Sequence, residues 1–364
     1  MNITKIKTAV VKIPVVRPYE ASFGLIDSAE NVILQIYTDD GLVGLGECCP
    51  IPGFSDEYSC AIKMLIDKYL SPALIGEDPF ELEKISEKME KTLKGNMLAK
   101  AGIDMALYDL IGKKLKVPVC KLLGGKYRET VAEPKLISTG ELEADVEEAR
   151  RAIREGYNII KLKVGAKDPE TDIKRIAMVR EAVGYKVGLR VDANQKWSPT
   201  TAIRLIKKME KYDLDYVEQP VPAWDIDGMR HVSEAVETPI MADESLFTLW
   251  DALLLVKSKA ADYFNIKVPK HGGILWSKKI VAIAEAADIP FFSGALAGTS
   301  ITIAASLHLI SSTKLECLGI SRLSLKDDVV IKPLEAKNGQ FTTPSNPGLG
   351  VEINEEKLRK FTIT

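Results

Sequence analysis

Histidine is scarce in this chain, three in 364 residues, and the five cysteines (Cys48, Cys49, Cys60, Cys120, Cys317) are odd in number and include no CxxC pair. That excludes a disulfide frame and a paired-thiolate zinc site, and reads as reduced thiols. An excess of one charge sign is also missing: 49 Lys and Arg face 51 Asp and Glu, a net charge of −2. No basic surplus points to nucleic acid, and no acidic run suggests a tail. No apolar run nears the roughly 18 residues of a membrane span. The N-terminus, MNITKIKTAVVKIPVV, alternates like a strand and lacks the apolar block and small-residue cleavage site of a secretory signal. These absences leave a cytoplasmic globular protein with no nucleic-acid or membrane partner, long enough for more than one domain.

What is present changes period along the chain. KIKTAVVKIP and NVILQIYTDDGLVGLGEC read as meander strands, with Asp39-Asp40-Gly41 as a hairpin turn. From Asp56 apolar residues recur at helical spacing, through EYSCAIKMLIDKYLSPALIG and PFELEKISEKMEKTL, and a third helix, MLAKAGIDMALYDLIGKKL, ends near Pro118. Short strands then alternate with amphipathic helices; the strands are expected near 131–137, 159–164, 187–192, 215–218, 239–242, 263–268, 290–293 and 314–318. That alternation predicts a parallel sheet. The expected fold is α/β: a modified (β/α) TIM-type barrel over 126–321, with an α+β capping domain over 1–125 and a C-terminal segment, 322–364, packing back on the cap. A doubly wound open sheet is the alternative, but it gathers ligands mainly at one switch point.

The barrel is preferred because charges end several of the apolar runs. Lys161 and Lys163 stand in IIKLKVG, Asp192 in GLRVDAN, Glu218 in DYVEQP, Asp243 in IMADES and Lys267 in FNIKV; the acids are 26 and 25 residues apart and Lys267 follows 24 later. One such step is about a strand, a turn, a helix and a return loop, so a parallel barrel brings the charges to one face. Lys161 and Lys163 are two apart in a strand and point the same way. Ammonium groups inside a barrel need anions beside them, and mutual repulsion with partial burial lowers a lysine pKa toward neutrality, which suits a base. Carboxylates from three strands are oxygen ligands for a small octahedral cation, favouring Mg²⁺ (or Mn²⁺) over Zn²⁺. Together they suit removal of a proton from the carbon beside a substrate carboxylate.

Taken in order, KLK, DAN, EQP, ADES and NIK followed by GG resemble the muconate lactonizing subgroup of the enolase superfamily, across nearly the whole chain. The resemblance implies Asp192, Glu218 and Asp243 as metal ligands, Lys163 as acid/base with Lys161 tuning it, Lys267 as the facing lysine, and Asn194 as a contact to the ligands or substrate. It also marks RPYEASFG (17–24) and ECCPIPGFSDEY (47–58) as capping loops, with Arg17, Tyr19, Phe23 and Phe54 as specificity contacts. Two motifs depart from the pattern. Ala297 stands where many members carry a glutamate, and ECLGISRLS lacks the Asp-x-Asp pair of dipeptide epimerases. The implied activity is isomerisation of a small-molecule carboxylate, as racemase or epimerase of an N-acylamino acid or as muconate-type cycloisomerase; the alternative is a dehydrating lyase of the o-succinylbenzoate synthase type. A homo-oligomer is expected. Cys48 and Cys49 read as packing residues, His271 as a loop or helix-start residue, and His231 and His308 as structural.

Overall fold

The computed structural model describes residues 1–21, 24–139, 141–165 and 168–363, with backbone alone at 19–21. The chain begins with an antiparallel meander, β1 (Ile3–Ala21), β2 (Gly24–Thr38) and β3 (Val43–Cys48). Its alternation buries Ile13 and Val15 while Lys12 and Pro14 face outward. The expected loop at 17–24 is corrected here: residues up to Ala21 continue β1, and Tyr19, Glu20 and Ala21 pair with Ile26, Leu25 and Gly24. The backbone there belongs to a long hairpin arm, because pairing with β2 satisfies its N–H and C=O groups.

Three helical stretches back the meander. A helix at Ser59–Leu65 runs through one wider π turn (Ile66–Leu70) into Ser71–Leu74, followed by helices at Leu82–Thr92 and Met97–Leu115. The last is buried almost throughout, and its small residues let β3 lie directly on it. A Cβ on Gly102 would sit 2.5 Å from Cys48 Sγ, so the cysteine is packing against a position that tolerates no side chain.

After β4 (Thr130–Ala132), eight parallel strands follow in ring order: β5 (Lys135–Ile137), β6 (Ile159–Lys163), β7 (Gly188–Asp192), β8 (Tyr216–Glu218), β9 (Ile240–Ala242), β10 (Tyr263–Asn265), β11 (Phe291–Gly294) and β12 (Cys317–Ser321). This is the expected barrel with helices outside, nearly closed. The strand expected over 131–137 divides at Pro134, which cannot donate to a ladder. Its first part, β4, pairs instead with β13 (Gln340–Thr342) in the C-terminal segment. The barrel floor is filled by Tyr216, Met241 and Phe292, with the Arg190 guanidinium 5.1 Å from the Tyr216 ring and donating to Leu318 O at 2.8 Å.

Buried carboxylates fasten cap to barrel at helix N-termini, where N–H groups lack intrahelical partners. Asp104 accepts from Ile274 N and Leu275 N at 2.5 and 3.3 Å. Glu47, fully buried on β3, accepts from Thr299 N and Thr302 N at 3.0 and 3.2 Å, from both threonine hydroxyls at 2.9 and 2.8 Å, and from Asn31 Nδ2 at 2.8 Å. Replacing Glu47 with alanine strands several buried donors, and unfolding in urea should show a loss of roughly 3 kcal/mol. Glu47→Gln should retain part of it; a change under about 0.5 kcal/mol for Glu47→Ala would contradict this latch.

Candidate active site at the barrel mouth

Strand alternation aims Lys161 and Lys163 of β6, Asp192 of β7 and Glu218 of β8 into the barrel, and the register sets Lys163 beside Asp192 and Asp192 beside Glu218. Asp243 follows β9 directly, and Lys267 lies two residues beyond Asn265 of β10. All six line one cavity of about 80 Å³ at the C-terminal ends of the strands, with Asn194, Asn265, Phe54 and Arg322. The sequence-selected lysines, acids and Asn194 are thus brought together. The three acids are about 1% exposed, and removing such charges from water is costly unless each has a partner.

Each acid is partnered by an ammonium group. Lys161 Nζ lies 2.6 Å from Glu218 Oε2 and 3.3 Å from Asp192 Oδ2, Lys163 Nζ 2.7 Å from Asp192 Oδ2, and Lys267 Nζ 2.6 Å from Asp243 Oδ2. Lys163 also donates to Asn194 Oδ1 at 2.6 Å, and Asn194 Nδ2 donates to Glu244 Oε1 at 2.9 Å. Lys267 extends over the Phe54 ring, 4.3 Å from its centroid, and across Gly294, where a Cβ would stand 2.6 Å from Lys267 Cε.

The charge balance sets the protonation states. Burial works against the Lys161 charge, but Glu218 and Asp192 outweigh it and hold the amine well above its ordinary value. The expected lowering of a lysine pKa is therefore corrected for Lys161: two carboxylates at contact distance dominate over repulsion from its neighbour. Burial, with the negative charges of Asp192 and Asp243 adding to it, raises Glu218 to about 7. Burial and the same two acids raise Glu244 to about 8. Burial is overcome at Asp192 by Lys163 and Lys161, which lower it to about 2, and at Asp243 by Lys267 and Lys270, which lower it further.

Several residues that build the site were not singled out from the sequence. Lys270, fully buried, donates to Asp243 Oδ1 at 2.8 Å and to the Asp243 and Asn265 carbonyls at 2.7 and 3.1 Å. Gln219 accepts from Asp243 N and Ser245 N at 2.9 and 3.1 Å and donates to Ser245 Oγ at 2.7 Å, tying the ends of β8 and β9 together. Asn265 donates to Glu218 Oε1 at 3.0 Å. Asn194 and Gln219 hold φ of 40° and 37°, so the chain turns sharply right after Asp192 and Glu218. The only signal for these in the sequence is adjacency to the charged positions.

The specificity contacts fare differently. Phe54 reaches the cavity. Arg17 does not line it: its guanidinium pairs with Glu148 on the helix Leu142–Arg154, and it borders a neighbouring chamber. The Tyr19 side chain and Phe23 lie outside the described residues. Ala297 is buried against Val15, Ile26, Ala29 and Leu323, so no acid stands at that place, and among the described residues the cavity's acids are Asp192, Glu218 and Asp243. His271 sits buried in the turn before the helix Ile274–Ala286 with Nδ1 2.8 Å from Phe247 O, and His308 is buried between Cys120 N and Leu349 O.

As placed, the ammonium groups stand between the acids, and among the described residues no three His, Cys, Asp or Glu converge on a common ion position. The donor set nevertheless fits a divalent cation. It is all oxygen and it comes from three successive strands spaced about 4.8 Å apart, and burial together with the neighbouring acids raises Glu218 and Glu244. Glu244 Oε2 is buried with no hydrogen-bond partner among the described residues.

Comparison with known proteins places the chain in a family. Residues 4–124 match the family model described as Mandelate racemase / muconate lactonizing enzyme, N-terminal domain, and residues 144–357 match Enolase C-terminal domain-like. The chain is 36% identical to a chloromuconate cycloisomerase from Pseudomonas putida, over 100% of this chain and 99% of that one. The solved N-succinyl Arg/Lys racemase from Bacillus cereus superposes with a TM-score of 0.96 at 34% identity, covering 100% and 99% of the two chains. A dipeptide epimerase from Enterococcus faecalis, solved with Mg and L-Leu-L-Tyr, superposes at 0.91 with 35% identity, covering 97% and 100%. All three are named as isomerases, and they differ in what they act on.

Proposed function

We propose, on the premise that this chain belongs to the muconate lactonizing subgroup of the enolase superfamily, that it is an isomerase that removes and returns the proton beside a substrate carboxylate. The observation that carries this reading is the convergence of Lys161 and Lys163 from one strand and Lys267 from another on a cavity that also holds Asp192, Glu218 and Asp243. Asp192, Glu218 and Asp243 would hold a divalent cation, Mg²⁺ by ligand chemistry, and Mg accompanies the Enterococcus faecalis relative. When bound, such a cation supplies Lewis-acid stabilisation of the negative charge that develops on the substrate carboxylate.

The protein side chains do the proton transfer. Lys163, about a fifth exposed and oriented by Asp192 and Asn194, is the base on one face of the reacting carbon. Lys161, kept cationic by Glu218 and Asp192, adds positive charge beneath the developing enolate. Lys267, fixed by Asp243 and the Phe54 ring, approaches from the β10 side and can return a proton to the opposite face. Phe54, Ile51, Leu296 and Leu323 wall the cavity with apolar surface, which strengthens each charge interaction inside it.

The test is α-proton exchange in D₂O with Mg²⁺ across N-acylamino acids, dipeptides, muconate and the o-succinylbenzoate precursor. Deuterium entering with inversion marks a racemase or epimerase, ring closure a cycloisomerase, and loss of water the lyase. For a substrate that racemises, Lys267→Ala should lower interconversion by about 10³-fold while one enantiomer still exchanges, followed by chiral chromatography and NMR. Racemisation at the wild-type rate in that variant would remove the two-base route.

A further inference from the structure

Lys267 is anchored at its root and held at its tip by different parts of the chain. Its backbone is fixed, since Lys270 N and His271 N donate to its carbonyl at 2.9 and 3.2 Å. Its stem crosses Gly294, where a Cβ would stand 2.6 Å from Lys267 Cε and 3.1 Å from Cδ, so the path is open only because that residue has no side chain. Its ammonium group rests between Asp243 Oδ2, at 2.6 Å, and the Phe54 ring, 4.3 Å from the centroid. The reading above gives Asp243 to the cation. An amine that yields that carboxylate keeps the ring, which lies inside the distance at which an aromatic face attracts a positive charge.

The ring comes from the cap, on the loop between β3 and the helix Ser59–Leu65. That loop closes on itself: Phe54 N and Ser55 N donate to Ile51 O at 3.0 and 2.9 Å, and Ser55 Oγ accepts from Ile51 N at 3.2 Å. Glu57 then ties the turn to the long cap helix. Its two carboxylate oxygens accept from Leu98 N at 2.8 Å and Ala99 N at 3.1 Å, at the start of Met97–Leu115, where Asn96 makes no capping bond with its own side chain. Glu57 is 7% exposed, and a buried carboxylate gripping two N–H groups at a helix N-terminus is a stiff joint. From the barrel side the Phe247 ring packs against Phe54, with centroids 6.2 Å apart.

We infer that Glu57 and Phe54 are positioning residues for Lys267. Glu57 sets the capping loop, the loop sets the ring, and the ring holds the ammonium group on the face of the reacting carbon opposite Lys163. This rests on the two-base reading above and deepens it, because it makes the cap part of the proton-transfer machinery on one face only. The chemistry at the carbon stays with the lysines.

Exchange measured separately for each enantiomer tests it. With the full chain, Mg²⁺ and an acid from the panel above that racemises, Lys267→Ala identifies the enantiomer whose α-proton Lys267 serves. Phe54→Leu should lower exchange of that enantiomer relative to its mirror image about 10- to 30-fold, whereas Phe54→Tyr, which keeps the ring, should leave the ratio within about threefold. Glu57→Gln keeps one acceptor for two N–H groups and should lower the ratio about three- to tenfold. The double variant should fall no further than Phe54→Leu alone, because Glu57 acts through the ring. A lost cavity wall or a partly unfolded population slows both enantiomers alike, so the ratio separates positioning from a merely structural role. An unchanged ratio in Phe54→Leu or in Glu57→Gln, or effects that multiply in the double variant, overturns the inference and leaves the proton-transfer reading intact. If nothing in the panel racemises, the two-base reading fails on its own, and crystals grown with Mn²⁺ decide the inference. Lys267 Nζ ordered within about 6 Å of the Phe54 centroid, and scattered in Phe54→Leu, supports it; the same ordered position in both overturns it.

Discussion

Lys163→Ala should lose about 10³- to 10⁴-fold in the rate of α-proton exchange, while substrate Kd changes by no more than about threefold. Lys163 reaches the cavity from the end of β6, and that end is held independently of its side chain. Arg175, clamped by Asp145 and Asp172, donates to the Lys163 carbonyl at 3.1 Å, and Asp172 accepts from Gly165 N at 2.6 Å. Deleting the amine therefore removes the base without moving the strand, and removal of a positioned base costs the magnitude stated. Single-turnover exchange followed by NMR, with binding measured by calorimetry, separates the two quantities. Exchange within tenfold of the unaltered enzyme would assign the base elsewhere.

Removing the divalent cation should be comparably severe. Chelation is expected to suppress exchange at least about 10³-fold, because charge on the developing enolate would be met by ammonium groups alone. The effect has a pH signature. Glu218 is raised from its ordinary 4.5 to about 7 by burial and neighbouring acids, so between those values the folded chain holds a proton that the unfolded chain lacks. Stability of the metal-free protein then falls as pH rises through that window. A cation must displace the same proton, so Mg²⁺ should bind about tenfold more weakly at pH 6 than at pH 8, with a binding heat that depends on buffer ionisation near pH 6.5. Affinity independent of pH and heat independent of buffer would contradict the ligand role of Glu218.

The barrel and its charged mouth were legible because two periods coincide. A strand alternates its side chains every second residue and a βα unit repeats at nearly constant length, so Lys161, Lys163, Asp192, Glu218, Asp243 and Lys267 needed only counting to be placed together. Lys270 escaped because it lies on no strand. The turn that brings Lys270 N to 2.9 Å from Lys267 O folds its ammonium group back onto Asp243, a reversal that apolar spacing does not encode. Gln219 looked like part of a motif, but its work of joining β8 to the Asp243 turn depends on a partner 24 residues away. Arg17 was misplaced for the same reason: its direction is decided by Glu148, 131 residues on, and by the extension of β1 into what the resemblance marked as a capping loop. Lys161 shows the electrostatic version of the limit. Two lysines side by side suggest a lowered pKa, until the depth and distance of Glu218 and Asp192 are known.

The central claim is that three carboxylates on successive strands grip one divalent ion between the β6 lysines and Lys267. A crystal of the full chain grown with Mn²⁺, with anomalous scattering collected at its absorption edge, tests it directly. The account predicts a single strong peak within coordinating distance of Asp192, Glu218 and Asp243 together, with Lys161, Lys163 and Lys267 displaced from those oxygens toward the cavity. A peak elsewhere, or the same acids still paired to their lysines at saturating Mn²⁺, would contradict it.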